Sequence, residues 1–470
     1  MDRDFSWIDD EELRELVDRF VSMLQQESWS FFDVDDFETL IDFFLEFQDV
    51  DYAGIAIAEA RRQHPASDAF QVRSARLLAA MNKYYEALEQ LNELEMTSAP
   101  GEEIFLAKGE IYSLMNKHEL AIEEYRKSIP YSEAPEEVFA AIAFEFENMD
   151  DYANAILNLK EALRVNPQSD NLIHEIAFFF ETISRYEEAI DFFNEFLDLN
   201  PYSIMAWFNL GIFYNSMFMY EKAIEAYEYA LAIDEEFSAA YFNIANSYSN
   251  VDDYRKAIHF YTESLRFDDV DPITYFYIGE CYESLYDTKN AMLFFNKAIE
   301  ADELLADAWA GIGRLMLKQD QIKTAVNYYE KALDIQPDSI DFLFELGDIY
   351  LKMSHWEKAE SLYSKVVEID SSVVDAWINL SKCVLPNAGT EGAIDVIEKA
   401  LESNKDQAAL WYRLAGYLYR SGKVQQAYFF IETAMKLDVE KIEFLLEYLP
   451  ELNNESRFIE LLSIYKSTKD

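Results

Sequence analysis

Cysteine is almost absent from this chain, with only Cys281 and Cys383 among 470 residues. Two cysteines so far apart make no disulfide framework of the kind that staples small secreted domains. Glycine and proline are nearly as scarce, at twelve and ten, which excludes collagen-like and low-complexity chains. Five histidines, His64, His118, His174, His259 and His355, are scattered with no second histidine or cysteine at a metal-ligand spacing. No apolar run is long enough to span a bilayer. The opening MDRDFSWIDDEE is acidic where a secretory leader is basic, and no apolar stretch follows it. Positive charge is short too: 39 Lys and Arg stand against 90 Asp and Glu, a net charge of −51. A surface of that sign repels phosphate backbones and anionic membranes, so neither nucleic acid nor a lipid surface is an expected partner. The acidity acts either as a solvating coat or as an attraction for a basic partner.

What the chain has in abundance is apolar and aromatic side chains, 50% and 16% of its residues, ample for a continuous core. The stretch Ile204 to Phe237, IMAWFNLGIFYNSMFMYEKAIEAYEYALAIDEEF, shows how they are arranged. Trp207, Leu210, Gly211 and Tyr214 recur at three- and four-residue spacing, and so do Ala223, Tyr227 and Ala230, which predicts two amphipathic helices joined by a short turn. Counted from Ile204 as position 1, the pattern is an aromatic at 4, Leu at 7, Gly at 8, Tyr at 11, Ala at 20, an aromatic at 24 and Ala at 27. Moved in steps of thirty-four residues, the register holds: position 20 is alanine twelve times in succession, from Ala53 to Ala427. Position 8 is Gly or Ala in every step except Ile41 and Ser381. Self-similarity at a fixed period is the mark of stacked repeats.

This pattern resembles the tetratricopeptide repeat. The resemblance implies an all-α fold, a right-handed α-solenoid of stacked antiparallel helix pairs, in which the small residues at 8 and 20 mark the closest approach of the two helices. Twelve tandem repeats are expected over 34–441, starting at Val34, Asp68, Glu102, Glu136, Asp170, Ile204, Ser238, Pro272, Ala306, Ile340, Val374 and Ala408. Pro65, Pro167, Pro201 and Pro337 at position 32 end second helices. Residues 1–33 are expected to hold a capping helix, with Leu13, Leu16, Val17, Phe20 and Leu24 on its inner face, because the end of a solenoid needs cover. Residues 442–470 read as C-terminal capping helices that keep the phase weakly and are interrupted at Pro450. Pro386 falls at position 13 of its repeat and is expected to end that first helix about a turn early, making a local hinge. Cys281 and Cys383 both fall at position 10, where other repeats carry Leu, Ile or Phe, so they read as small buried hydrophobes.

Nothing in the pattern carries catalysis. The His174-Glu175 pair lacks the second histidine of a zinc protease helix, and Gly311-Ile312-Gly313 lies inside a first helix without the rest of a phosphate-binding fingerprint. The expectation is a non-enzymatic, cytoplasmic protein that needs no cofactor and no metal. Function then falls to the surface. In the family that the chain resembles, positions 2, 5, 6, 9, 12 and 13 of the first helices line a concave groove. Carried over, this places Phe208, Phe242 and Phe276 at position 5, Asn209 and Asn243 at position 6, and Asn246 at position 9. Such a row suits a peptide, since rings supply desolvated area while each amide both donates and accepts. Further along, Arg314, Lys318, Lys382 and Arg413 form a basic strip that either receives an acidic segment or pairs with Asp307, Asp341, Asp348 and Asp375 on the same helices. The expected function is a protein-protein interaction module that holds a peptide or helical segment of a partner in this groove. The alternative is a structural scaffold, or a regulatory subunit, that organises an assembly through its outer faces and ends.

Overall fold

The computed structural model describes residue 5 and residues 10–26, 29–65, 67, 69–99, 101–267 and 271–467. The expected start of the second repeat, Asp68, lies outside the described residues. Among the described residues there is no strand, and helices follow one another in pairs. Ile204–Ser216 and Tyr220–Ile233 form one such pair, Pro272–Ser284 and Thr288–Ala301 another. Three-residue connections fold both of these pairs back on themselves. The chain divides into two compact bodies, Met1–Glu235 and Glu236–Asp470.

Each body is an all-α stack in which the first helix of a pair packs on its own second helix and on the next pair. In the first body, the helix Glu11–Gln25 turns Val17, Phe20, Val21 and Met23 inward. Phe20 meets Phe32, Phe37 and Phe44 at ring-centroid distances of 5.8, 6.4 and 6.1 Å, so an aromatic cluster covers the degenerate repeat that carries Ile41. Leu13, Leu16 and Leu24 are only half-buried there. In the second body, the phase after Leu437 survives only as short 3₁₀ and α pieces, Glu440–Ile442, Glu443–Leu446 and Pro450–Asn454, before the helix Ser456–Ser467.

The nearest neighbour of a glycine at position 8 is a ring. At position 8, Gly109, Gly211, Gly279, Gly313 and Gly347 each face the ring at position 24. A Cβ added to them would stand 2.4 to 2.9 Å from the rings of Tyr125, Tyr227, Phe295, Tyr329 and Tyr363 respectively. Every repeat with Gly at 8 therefore has an aromatic at 24. Where position 8 is Ala75, Ala143 or Ala415, position 24 is the slimmer Leu91, Leu159 or Ile431, whereas Ala177 and Ala245 stand with Phe193 and Tyr261. In the glycine repeats the ring at 24 fills the space that a side chain at 8 would take.

Turns repeat as strictly as the core. The N–H of position 16 donates to the carbonyl of position 11, as from Met219 to Tyr214 at 2.8 Å and from Asp287 to Tyr282 at 2.9 Å. That bond closes a helix C-terminus only if position 15 is left-handed. Gln48, Asn82, Asn116, Asp150, Ser184, Asp252, Asp320 and Ser354 duly have φ of 54° to 61°, and Gly422 has 82°. Two bulky residues occupy the same conformation, Phe218 at 59° and Tyr286 at 60°, and both are exposed, by 78% and 89%. Between pairs, a second device recurs. The indole N–H of Trp207, Trp309, Trp377 and Trp411 at position 4 donates to the carbonyl six residues earlier, of Pro201, Glu303, Ser371 and Lys405, at 2.8 to 3.0 Å. Each tryptophan thus fastens the preceding turn to its own first helix.

One expectation is corrected. Pro386 does not end its helix early: helical structure runs over Val374–Ser403, and the chain departs from helical geometry at Gly389 (φ 67°, ψ −167°). Gly389 stands one residue past the usual turn position and supplies the positive φ that the turn needs.

Two outcomes follow from this geometry. Gly211→Ala is expected to lower stability in urea unfolding by about 1 kcal/mol or more, because overpacking of about 1–3 kcal/mol outweighs the better helix propensity of alanine. Adding Tyr227→Leu, which recreates the Ala75–Leu91 pairing, should cancel much of that cost. Simple additivity of the two single changes would show that the positions do not share a volume. Tyr286→Asn is expected to raise stability by about 1 kcal/mol, by placing a residue tolerant of positive φ where an exposed tyrosine is strained. A destabilised variant would show that the ring makes contacts that outweigh the strain.

Candidate functional site

The position-5 rings are not free-standing. Phe208 lies 5.7 Å from Tyr227, Phe242 5.4 Å from Tyr261, Phe276 5.8 Å from Phe295 and Phe344 5.5 Å from Tyr363. Each ring therefore leans on the position-24 ring of its own repeat and stays half-buried. Of the amides, Asn209 is only 4% exposed and donates to the carbonyl of Met205. Asn243 is half-buried and donates likewise to Ala239. Asn246 accepts from the Tyr261 hydroxyl. Phe208 and Asn209 belong to the first body, and the other eight expected site residues to the second.

Position 9 decides what becomes of the tyrosine hydroxyls beneath. The hydroxyl of Tyr261 reaches Asn246 and that of Tyr363 reaches Asp348, in both cases the position-9 residue of the same repeat. In the Tyr227 repeat that position is the apolar Ile212, and the buried Tyr227 hydroxyl has no hydrogen-bond partner. Burial pushes the Tyr227 and Tyr261 phenols well above their usual range, so all stay protonated at neutral pH.

The basic strip is paired, but not with the acids expected. Arg314 donates to Glu280 at 3.1 Å and to Glu283 at 3.2 Å, and Lys318 reaches Glu283 at 2.8 Å. Arg413, 1% exposed, meets Glu447 at 3.3 Å. Lys382 lies 3.3 Å from the Asn379 side-chain oxygen and 3.9 Å from Glu447. Burial, and then the neighbouring Arg413, lower the Lys382 pKa. The acidic partners of Arg314, Lys318 and Arg413 sit 31, 34 or 35 residues away, in a neighbouring repeat, while Lys382 bonds Asn379 on its own helix and lies 65 residues from Glu447. The same rule operates in the first body, where Arg73 forks onto Asp42 and Arg76 onto Glu110. Glu280 and Glu283 were missed in the sequence, although opposite charges at spacings of 31 and 34 would have revealed them.

Beside this network lies a polar cavity of about 400 Å³ within the second body. Tyr254, Tyr277, Glu280, Glu283, Arg314 and Lys318 are among its lining residues. Tyr277 connects it to the aromatic row, with centroids 5.9 Å from Phe242 and 5.5 Å from Phe276. Cys281 also lines it, buried to 3%, with burial holding its thiol up at about 11. Cys383 is buried too, and neither cysteine is in a disulfide. Among the described residues, no group of three His, Cys, Asp or Glu is placed to hold a metal ion, and no helix is long and apolar enough to cross a membrane.

The helix pairs, the thirty-four-residue turn and the shared volume at positions 8 and 24 define a helical-repeat protein. Models of the tetratricopeptide repeat match residues 204–237, residues 102–134, 238–271 and 274–303, and residues 316–383. The chain is a tetratricopeptide repeat protein, a class of protein-interaction modules. No curated protein matches it. Among solved structures it is similar to YrrB, described as a tetratricopeptide repeat protein with an unusual peptide-binding site. That match has 21% identity and a TM-score of 0.31, and it covers 39% of this chain and 95% of the other. It is similar also to the hetero-tetramer Cut9-Hcn1 of the APC/C, at 13% identity and a TM-score of 0.39, over 90% of this chain and 97% of that one. The PilF protein of Pseudomonas aeruginosa matches at 16% identity and a TM-score of 0.37, over 47% and 94%.

The contrast between Tyr227 and Tyr261 is testable by removing one oxygen. Tyr227→Phe is expected to leave stability unchanged or raise it, because an orphaned hydroxyl is taken out of the core. Tyr261→Phe is expected to cost about 0.5–1.5 kcal/mol, by depriving Asn246 of its donor. Equal losses in thermal or urea unfolding would show that the Tyr227 hydroxyl has a partner.

Proposed function

We propose that the chain is a non-catalytic binding module, and that the second body holds a segment of a partner protein along its first helices at Phe242, Asn243, Asn246, Phe276, Arg314 and Lys318. The observation that carries this reading is the continuous run from Phe242 through Tyr277 and Phe276 to the polar cavity. It sets half-buried rings beside hydrogen-bonding groups, the composition that anchors and orients a bound chain. Asn243 keeps its side-chain carbonyl for a partner N–H. Phe208 and Asn209 repeat the motif in the first body, with Asn209 serving to hold its own helix. Lys382 and Arg413 are spoken for by Glu447, so an acidic segment at that end must displace a carboxylate of this chain. The twelve repeats over 34–441, with caps at 1–33 and 442–470, are the frame that presents these residues. A cytoplasmic setting suits two reduced, buried thiols.

A binding titration with a partner captured from the native host tests the proposal. Phe242→Ala is expected to weaken binding about thirtyfold, the roughly 2 kcal/mol typical of a buried aromatic anchor. Asn243→Ala should weaken it less, by leaving backbone groups of the bound segment unpaired. Circular dichroism confirms that both variants remain helical. Undiminished affinity in both would remove the binding-face reading and put the scaffold, working through outer faces and ends, in its place.

A further inference from the structure

The cavity beside Tyr277 contains a carboxylate whose hydrogen-bonding capacity is only half used. Glu283 is engaged on both oxygens: one accepts from Arg314 at 3.2 Å, the other from Lys318 at 2.8 Å, and its side chain is 10% exposed. Glu280 gives one oxygen to Arg314 at 3.1 Å while its side chain remains 40% exposed to the cavity. Its charge is poorly compensated where it stands. Burial raises its pKa, the nearby Glu283 and Asp307 raise it further, and Arg314 offsets only part. Around it the lining supplies the Tyr254 and Tyr277 rings and the Ser249 and Ser284 hydroxyls. Both cations in the lining are paired with these carboxylates, and Glu280 keeps its second oxygen, beside aromatic rings, for another donor.

We infer that this cavity receives a basic side chain, arginine in particular, from the partner segment. A guanidinium is planar and forked. It can place one N–H on the open oxygen of Glu280, another on a serine hydroxyl, and its face against a tyrosine ring. The site already accommodates that chemistry once, in Arg314, which bridges Glu280 and Glu283. A lysine ammonium satisfies the charge but not the fork. A partner carboxylate would meet Glu280 and Glu283 head on. The volume, about 400 Å³, lies in the range of about 300–1,000 Å³ typical of ligand pockets. The net charge of −51 draws a basic segment toward the body from a distance, and the cavity then selects among its side chains.

This inference rests on the binding-face reading above, and its test separates the two. The probe is a fluorescent five-residue peptide, acetylated and amidated, with arginine at its centre and alanine elsewhere. It is titrated into the full-length protein beside versions bearing citrulline, lysine or glutamate. Citrulline keeps the shape of arginine and removes its charge. The arginine peptide is expected to bind about tenfold tighter than the citrulline peptide, a charge-assisted hydrogen bond being worth about that factor or more. It should also bind more tightly than the lysine peptide, with no detectable binding of glutamate. Glu280→Gln should reduce arginine affinity about tenfold and abolish the preference over citrulline, whereas Asp338→Asn, an exposed acid elsewhere on the same body, should leave both intact. Three results overturn the proposal: equal affinity for arginine and citrulline, equal losses in Glu280→Gln and Asp338→Asn, or no arginine binding at millimolar concentration. If captured partner remains sensitive to Phe242→Ala while arginine selectivity is absent, the cavity assignment fails and the binding face stands. Insensitivity to both changes removes the two together.

Discussion

In the repeats with glycine at position 8, a ring pressed against that glycine fills the space between the two helices. Gly211 and Tyr227, like Gly279 and Phe295 or Gly347 and Tyr363, leave no room for a methyl group between them. The position-24 ring also carries the lean of the position-5 ring and, where it is tyrosine, the hydroxyl that ends beneath position 9. Interiors packed this tightly transmit small volume changes rather than absorbing them. Exchanging Gly and Tyr for Ala and Leu together, as in the Ala75–Leu91 repeat, conserves the volume and therefore the spacing.

The turns show the same economy, and also where the chain departs from it. A left-handed residue at position 15 closes the first helix, and Asn, Asp, Ser and Gly fill that place because they reach positive φ at little cost. Phe218 and Tyr286 do not fit this logic. Two large rings stand almost fully exposed in a conformation that disfavours them, so folding alone does not account for them. At Gly389 the opposite adjustment occurs: the turn residue is displaced by one, and glycine accepts the geometry after Pro386 has been tolerated within the helix.

Stacking identical units brings identical positions together, and charge is arranged accordingly. Arg76 meets Glu110, Arg314 meets Glu280, and Arg413 meets Glu447, each at the same repeat position one unit away. In a chain of net charge −51, these basic residues are consumed in neutralising neighbours rather than displayed. That is why the strip of Arg314, Lys318, Lys382 and Arg413 is a poor receptor for acid and why the half-used Glu280 matters more than the cations around it. An exposed pair contributes little to stability, whereas Arg413, nearly buried, would be costly to strand without Glu447.

The thirty-four-residue period, the alanine at position 20 and the small residue at position 8 were enough, by themselves, to indicate the helix pairs and the inward faces of Ile204–Ser216 and its equivalents. These are local properties: hydrophobic spacing, turn chemistry and side-chain size are all written within one repeat. The buried cysteines were legible for the same reason, since position 10 is apolar in other repeats. What the sequence did not disclose lies between repeats or between helices. The partner of Arg314 is 31 and 34 residues away. Where position 8 is glycine, the ring at position 24 lies against it. Asn209 is turned into its own helix while Asn246 supports a tyrosine hydroxyl. Tertiary structure decided each of these, because a hydrogen bond or an ion pair depends on which side chains the stacking brings within about 3 Å, and a one-dimensional period states only which of them face the same way.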